Sequence, residues 1–122
     1  MTTLVMRQSP ARTSVLWVLQ ILGAAMFLFA GVHKLSADPM MVQVFGAIGL
    51  GQWFRYLTGG IEVVAGALLL IPAVAEYAAA ALAVTMVGAI LTHLFIIGGS
   101  PAIPIVLLAA MATIVWMRRS DR

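Results

Sequence analysis

Four apolar stretches, each near the length of a bilayer crossing, divide the chain, and polar residues fall mainly in the turns between them or singly inside a run. The first run, VLWVLQILGAAMFLFAGV over residues 15–32, follows Arg7 and Arg12 and is closed by His33 and Lys34. That length suffices for a transmembrane helix. A secretory signal would carry a shorter apolar core and a small-x-small cleavage site, and Ala30-Gly31-Val32 followed by His-Lys fits this poorly. A retained first span over 15–34 is therefore expected. Three more follow over 56–74, 77–97 and 101–117, separated by tight turns at Pro72–Glu76 and at Gly98-Gly99-Ser100. Pro101 and Pro104 suit the opening turn of the last helix.

The connection SADPMMVQVFGAIGLGQWFR, residues 36–55, is too apolar for a solvated loop, and its helical part, residues 38–50, is too short to cross. Asp38 before Pro39 reads as a helix start, a capping residue followed by the proline favoured at the first helical position. Met40, Met41, Val42, Val44, Phe45 and Ile48 would lie flat on the membrane or dip into the bundle, and Gly49 and Gly51 would end the helix. Trp53, Phe54 and Tyr56 match the aromatic belt of a water interface. The expected fold is all-α: one domain over 1–122, an integral membrane four-helix bundle with a short interfacial or re-entrant helix between the first and second spans.

Composition agrees. Hydrophobic residues make up 63% and charged residues 9% of the chain, far from the balance of a soluble domain. The net charge of +3 does not indicate nucleic acid, because the basic residues sit at helix ends instead of lining a groove. The lack of cysteine excludes thiolate chemistry, disulfides and cysteine-ligated metal. Arg7, Arg12, Arg118, Arg119 and Arg122 cluster at the two termini, whereas only Lys34 and Arg55 flank the long connection. Four spans place both termini on one side, and the positive-inside rule makes that side the cytoplasm.

This topology brings the intramembrane polar residues to similar depth. Glu62 follows Tyr56 by six residues, so at about 1.5 Å per residue it lies roughly 9 Å inside the outer end of its helix. His93 lies near the outer end of the third span, and His33 with Lys34 closes the outer end of the first. Gln20, Gly23, Ala24, Phe27, Gly31 and Lys34 share one helical face; Glu62 shares its side with Thr58, Gly59, Gly66 and Ala73; His93 follows Tyr77, Ala81, Thr85 and Ala89 in steps of four. Small residues on these faces permit close helix approach, and ionisable residues in membranes point inward. Lys34, Glu62, His93 and His33 are thus the candidate ligand or proton-relay residues. A network of Lys34, Glu62 and His93 is the expectation, because a lone carboxylate or ammonium in hydrocarbon favours its neutral form and an opposite charge offsets that.

AGVHKL at 30–35 and GGIEVVAGALLL at 59–70 resemble the DoxX-like family of small bacterial membrane proteins: a glycine and then a lysine closing the first helix, and G-x-x-E-x-x-x-G-x-L-L-L in the second. The likeness extends over essentially the whole chain. It implies a membrane subunit of a redox-associated system, either quinone-linked or concerned with oxidative stress, with a redox enzyme or larger membrane complex as partner. Lys34 and Glu62 carry over by position, and His93 follows as the polar residue of the third helix. More distant relatives act in maturation or assembly, which implies a noncatalytic scaffold as the alternative.

Three classes of function fit these residues. A redox subunit would use a lipophilic cavity in the outer half, walled by Phe27, Trp53 and the glycine faces, taking a quinone or similar molecule while Glu62 or His93 moves protons. A scaffold would use the same polar cluster to rigidify the bundle, with Glu62 merely pairing with Lys34 or a histidine. A small-molecule carrier would need a homo-oligomer. No metal is expected: His33 lies about 100° around the helix from Lys34, and a pair of histidines with one glutamate is a sparse ligand set. No nucleotide-binding, haem-attachment or acyl-transfer motif is present.

Overall fold

A computed structural model describes residues 9–120, all of whose regular structure is helical. Arg7 and Arg122, which enter the orientation argument, lie outside the described residues. Helix α1 spans Pro10–Leu35, α2 Pro39–Ile48, α3 Gln52–Leu68, α4 Ala75–Thr92 and α5 Ala102–Ser120. A π-helical turn, His93–Ile97, continues α4.

Local signals set these ends. The Ser9 hydroxyl accepts from the Arg12 amide at 3.0 Å, and Pro10 opens α1. Pro39 opens α2 after Asp38, and Gly49 ends it in the left-handed region at φ 87°. Helices α1, α4 with its π-turn, and α5 are long and apolar enough to cross a membrane. Helix α3 has 17 residues, the short end of the range of about 17–25 for a crossing. It stops at Leu68, and the chain turns through residues 69–74, which hydropathy alone assigns to the span.

The helices pack most closely as two pairs, α1 with α3 and α4 with α5, and the pairs meet along looser seams. Phe27 of α1, Leu69 just after α3, Leu82 of α4, and Met111 and Ile114 of α5 fill the common core. Large apolar side chains also cover the outside, including Phe29, Val84, Phe95 and Val106, as lipid contact requires. Exposed aromatics mark both ends: Trp53 and Tyr56 beside the α2 end, Tyr77 and Trp116 beside the end where α1 starts and α5 stops. The face of α4 carrying Tyr77, Ala81, Thr85, Ala89 and His93 is not the buried one; Ala75, Ala79, Leu82 and Met86 face the core instead. Helix α4 is apolar and alanine-rich all round, so small residues stripe both faces and their spacing cannot distinguish the one that packs.

Candidate functional site

Glycine brings α1 and α3 into backbone contact. A Cβ on Gly31 would stand 2.8 Å from the Gly59 carbonyl oxygen and 3.0 Å from the Val63 amide nitrogen. A Cβ on Gly59 would stand 3.0 Å from the Lys34 Cβ, and one on Gly66 3.2 Å from the Phe27 Cβ. These are the approaches that only glycine allows between membrane helices. Lys34 lies three residues beyond Gly31, and Glu62 three beyond Gly59, so the closeness of the backbones delivers their side chains to one another. Lys34 Nζ and Glu62 Oε1 are 2.8 Å apart, with the lysine side chain 16% and the glutamate 1% exposed. The ammonium is the only polar partner of Glu62 among the described residues, and Oε1 makes no aligned hydrogen bond. It is a buried ionic contact across a helix seam.

Arg55 extends this cluster toward α2. Its Nε donates to Gln52 Oε1 at 2.7 Å, its Nη1 donates to the Lys34 carbonyl, and its guanidinium lies 4.4 Å from the centre of the Tyr56 ring. Gln52 Nε2 in turn donates to the Val42 carbonyl of α2 at 3.1 Å. Phe45, the one buried residue of α2, meets Phe54 with ring centres 5.9 Å apart. The short helix is thus tied by Gln52 and Phe45 over the end that holds Lys34, Arg55 and Glu62.

The two histidines lie apart from this pair. His33 is exposed, and its ring meets that of Phe29 at a tilt of 41°, with centroids 4.3 Å apart. His93 Nδ1 donates to the Gly98 carbonyl at 2.9 Å, and among the described residues no hydrogen bond or ion pair joins it to Glu62 or Lys34. The π-turn accounts for this, since it closes the backbone from the Gly98 amide to the His93 carbonyl and folds the ring onto its own turn. Among the described residues no three His, Asp or Glu side chains group as metal ligands.

A second polar knot stands toward the other end. Gln20 is fully buried; its Nε2 donates to the Leu69 carbonyl at 2.7 Å, and its Oε1 accepts from Arg118 Nε at 2.9 Å and Nη2 at 2.6 Å. It thereby ties α1, the end of α3 and α5. Arg12 Nη2 donates to the Met117 carbonyl at 3.2 Å, and Arg119 approaches Glu76 at 3.5 Å. Exchanging Gln20 for leucine leaves a buried carbonyl and a guanidinium without this partner, and is expected to cost about 1–3 kcal/mol, read as a lower midpoint of denaturant unfolding in detergent.

Helical spacing puts Gln20 on the inward face but names no partner for it, and it marks Arg55 only as a flanking charge. The spacing Arg55, Gly59, Glu62, Gly66 places all four on one helical side, and that is the one signal for Arg55 in the sequence. Gln52 stands three residues before Arg55 on the same helix, a spacing that allows their bond, but nothing local marks Val42 as a partner of Gln52 or Arg118 as a partner of Gln20, because those bonds cross between elements.

The expected cavity behind Phe27 and Trp53 does not form there: Phe27 is 1% exposed in the core, and Trp53 is 60% exposed on the surface. The structure opens instead between α3 and α4, in a groove of about 720 Å³ walled by Tyr56, Gly60, Ile61, Val64, Tyr77 and Ala81 among others. None of Lys34, Glu62, His33 or His93 lines it. Gly60, next to the seam-forming Gly59, points into open space, with nothing within 4 Å of a Cβ placed on it.

A family model described as the DoxX-like family matches residues 18–120. A Bacillus subtilis (strain 168) protein named "Putative oxidoreductase CatD" is 28% identical over 75 residues, which is 62% of this chain and 56% of that protein. The matched stretch thus spans little more than half of that relative's length. No solved structure matches the chain.

Proposed function

The chain belongs to the DoxX-like family, and from that premise we propose that this multi-pass membrane protein serves as the membrane subunit of a redox-associated system, taking a lipophilic molecule of the quinone class in the groove between α3 and α4. The observation that carries the reading is the groove itself: apolar, open on the outside of the bundle, and unobstructed at Gly60. Lipophilic ligands enter sites of this kind through apolar walls, with few polar groups fixing orientation. Tyr56 and Tyr77 supply the phenols along its walls. The name of the Bacillus relative supports the association with oxidoreduction. In this reading the groove binds, and the electrons belong to a partner enzyme or complex.

Organic extraction of protein purified in mild detergent, followed by mass spectrometry, is expected to yield a quinone-class lipid. Gly60→Phe and Ala81→Trp, both directed into the groove, should lower its yield several-fold while leaving the fold intact. Equal recovery from wild type and both variants would remove the groove from the proposal.

A second reading, the noncatalytic scaffold, draws on the sealing of Glu62. Its carboxylate is 1% exposed and is held by Lys34 away from the groove, so the pair acts as a structural tie and not as a relay to a ligand there. Copurification of a partner enzyme without any extractable ligand would favour the scaffold.

The same proposal includes four crossings, with α3 as the shortest, and both termini in the cytoplasm. The sequence has no cysteine, which makes labelling unambiguous. A cysteine at Ser36 should react with an impermeant thiol reagent outside intact cells, and one at Ser120 only after lysis. Labelling of Ser120→Cys from outside would reverse the orientation.

A further inference from the structure

We propose that the α2 end of the α1–α3 seam is a receptor for a phosphate-class oxyanion, with Arg55 as its anchoring cation and Lys34 beside it. The charges at this end are not all paired. Lys34 and Arg55 meet there, joined through the Lys34 carbonyl, but of the two carboxylates at this end Lys34 already holds Glu62 at 2.8 Å, and Asp38, the cap of α2, forms no ion pair among the described residues. Arg55 is 3% exposed. Its partners are neutral: the Gln52 amide oxygen, the Lys34 carbonyl and the face of Tyr56. Among the described residues no carboxylate forms an ion pair with it, and Asp38 makes none either. A buried cation held by neutral groups alone, without an opposite charge, is costly.

The position of Arg55 in its helix adds to this cost. It stands in the first turn of α3, where the helix dipole presents its positive end and disfavours a cation. That turn contains no acidic residue, and its cap, Gly51, has no side chain to accept from the free amides. A guanidinium, an ammonium and a helix start therefore concentrate positive potential in one region.

An oxyanion offsets all three. The guanidinium carries more N–H donors than its present partners use, and its planar fork suits two oxygens of one phosphate. A tetrahedral phosphate has further oxygens for an ammonium or for amides at a helix start. The depth is suitable too: exposed Trp53 and Tyr56 mark the headgroup level beside Arg55. The phosphate of an anionic phospholipid and free inorganic phosphate share this chemistry, and experiment separates them.

Thermal unfolding of the full-length protein in phosphatidylcholine nanodiscs, with and without added phosphatidylglycerol, tests the site. Wild type should gain several degrees in Tm from phosphatidylglycerol, and native mass spectra should retain the anionic lipid. Arg55→Gln should lose most of that gain, whereas Arg119→Gln, at the opposite end, should keep it. Gln52→Glu provides a second test that does not depend on the first variant folding. The Gln52 oxygen already lies 2.7 Å from Arg55 Nε, so a carboxylate there supplies the counter-charge from within. This variant should be stabilised in phosphatidylcholine alone and should respond little to phosphatidylglycerol. Inorganic phosphate added in lipid-free detergent distinguishes the sources: a comparable, Arg55-dependent rise assigns free phosphate, and no rise beside a lipid response assigns the headgroup. The proposal is overturned if neither phosphatidylglycerol nor phosphate raises Tm, or if wild type, Arg55→Gln and Gln52→Glu all respond alike.

Discussion

Glu62→Gln is expected to destabilise the bundle by about 3–5 kcal/mol, because it leaves the Lys34 ammonium buried without its opposite charge. The carboxylate is 1% exposed and the ammonium is its one polar partner among the described residues, so water cannot readily take its place. The pair itself need contribute little net stability, since bringing two charges out of water offsets most of their attraction. The double exchange Glu62→Gln with Lys34→Met should therefore recover much of the loss, and the cycle should show a coupling energy of more than about 1 kcal/mol. Denaturant unfolding in detergent measures both. Activity measured with a redox partner separates the roles: a structural tie predicts that the double variant, once folded, works nearly as well as wild type. A well-folded but inactive double variant would return Glu62 to the chemistry.

Gly31→Val and Gly60→Ala should move stability in opposite directions, although both replace a glycine in a membrane helix. At Gly31 the first added carbon would already lie 2.8 Å from the Gly59 carbonyl oxygen and 2.7 Å from Val63 Cγ2. The backbone oxygen cannot rotate away, so α1 and α3 must separate. The cost is about 1–3 kcal/mol or more, and the Lys34–Glu62 contact less than one turn away should lengthen with it. At Gly60 nothing lies within 4 Å, so alanine brings only its better helix propensity, a gain of up to about 1 kcal/mol. Thermal unfolding of the two variants side by side checks the pair. Equal losses at both positions would mean that the seam does not depend on close backbone approach.

The inward face of α1 is legible in the sequence. Gln20, Gly23, Ala24, Phe27 and Gly31, grouped by helical spacing, are all buried, because small and polar residues in an otherwise apolar helix are rare enough to identify one side. The same reasoning fails for α4. There alanine and threonine recur on several faces, and the side carrying His93 is not the one that packs. The short helix α2 is also legible, since Asp38-Pro39 and Gly49 are local backbone signals that require no tertiary partner. The place of the cavity is not, because Phe27, whose position on the inward face suits a cavity wall equally well, fills the core against Gly66.

Hydropathy and backbone propensity along the chain are enough for the all-helical membrane class, the positions of the main helices, the glycine-lined face of α3 and the presence of one carboxylate within it. Both act over one or two helical turns, so no distant contact is needed to read them. Which polar groups meet across helices is settled only by how the helices pack: Glu62 with Lys34 but not His93, Arg55 with the Lys34 carbonyl, Gln20 with Leu69 and Arg118. Contacts of this kind depend on how far each helix slides and rotates against its neighbour. A shift of one residue turns a helix by about 100°, enough to carry a side chain from one partner to another, and equal depth alone cannot distinguish the two. Glycine contacts at Gly31, Gly59 and Gly66 set the slide and rotation of α1 against α3, whereas His93 is drawn onto its own π-turn, whose Gly98 carbonyl lies within hydrogen-bonding reach.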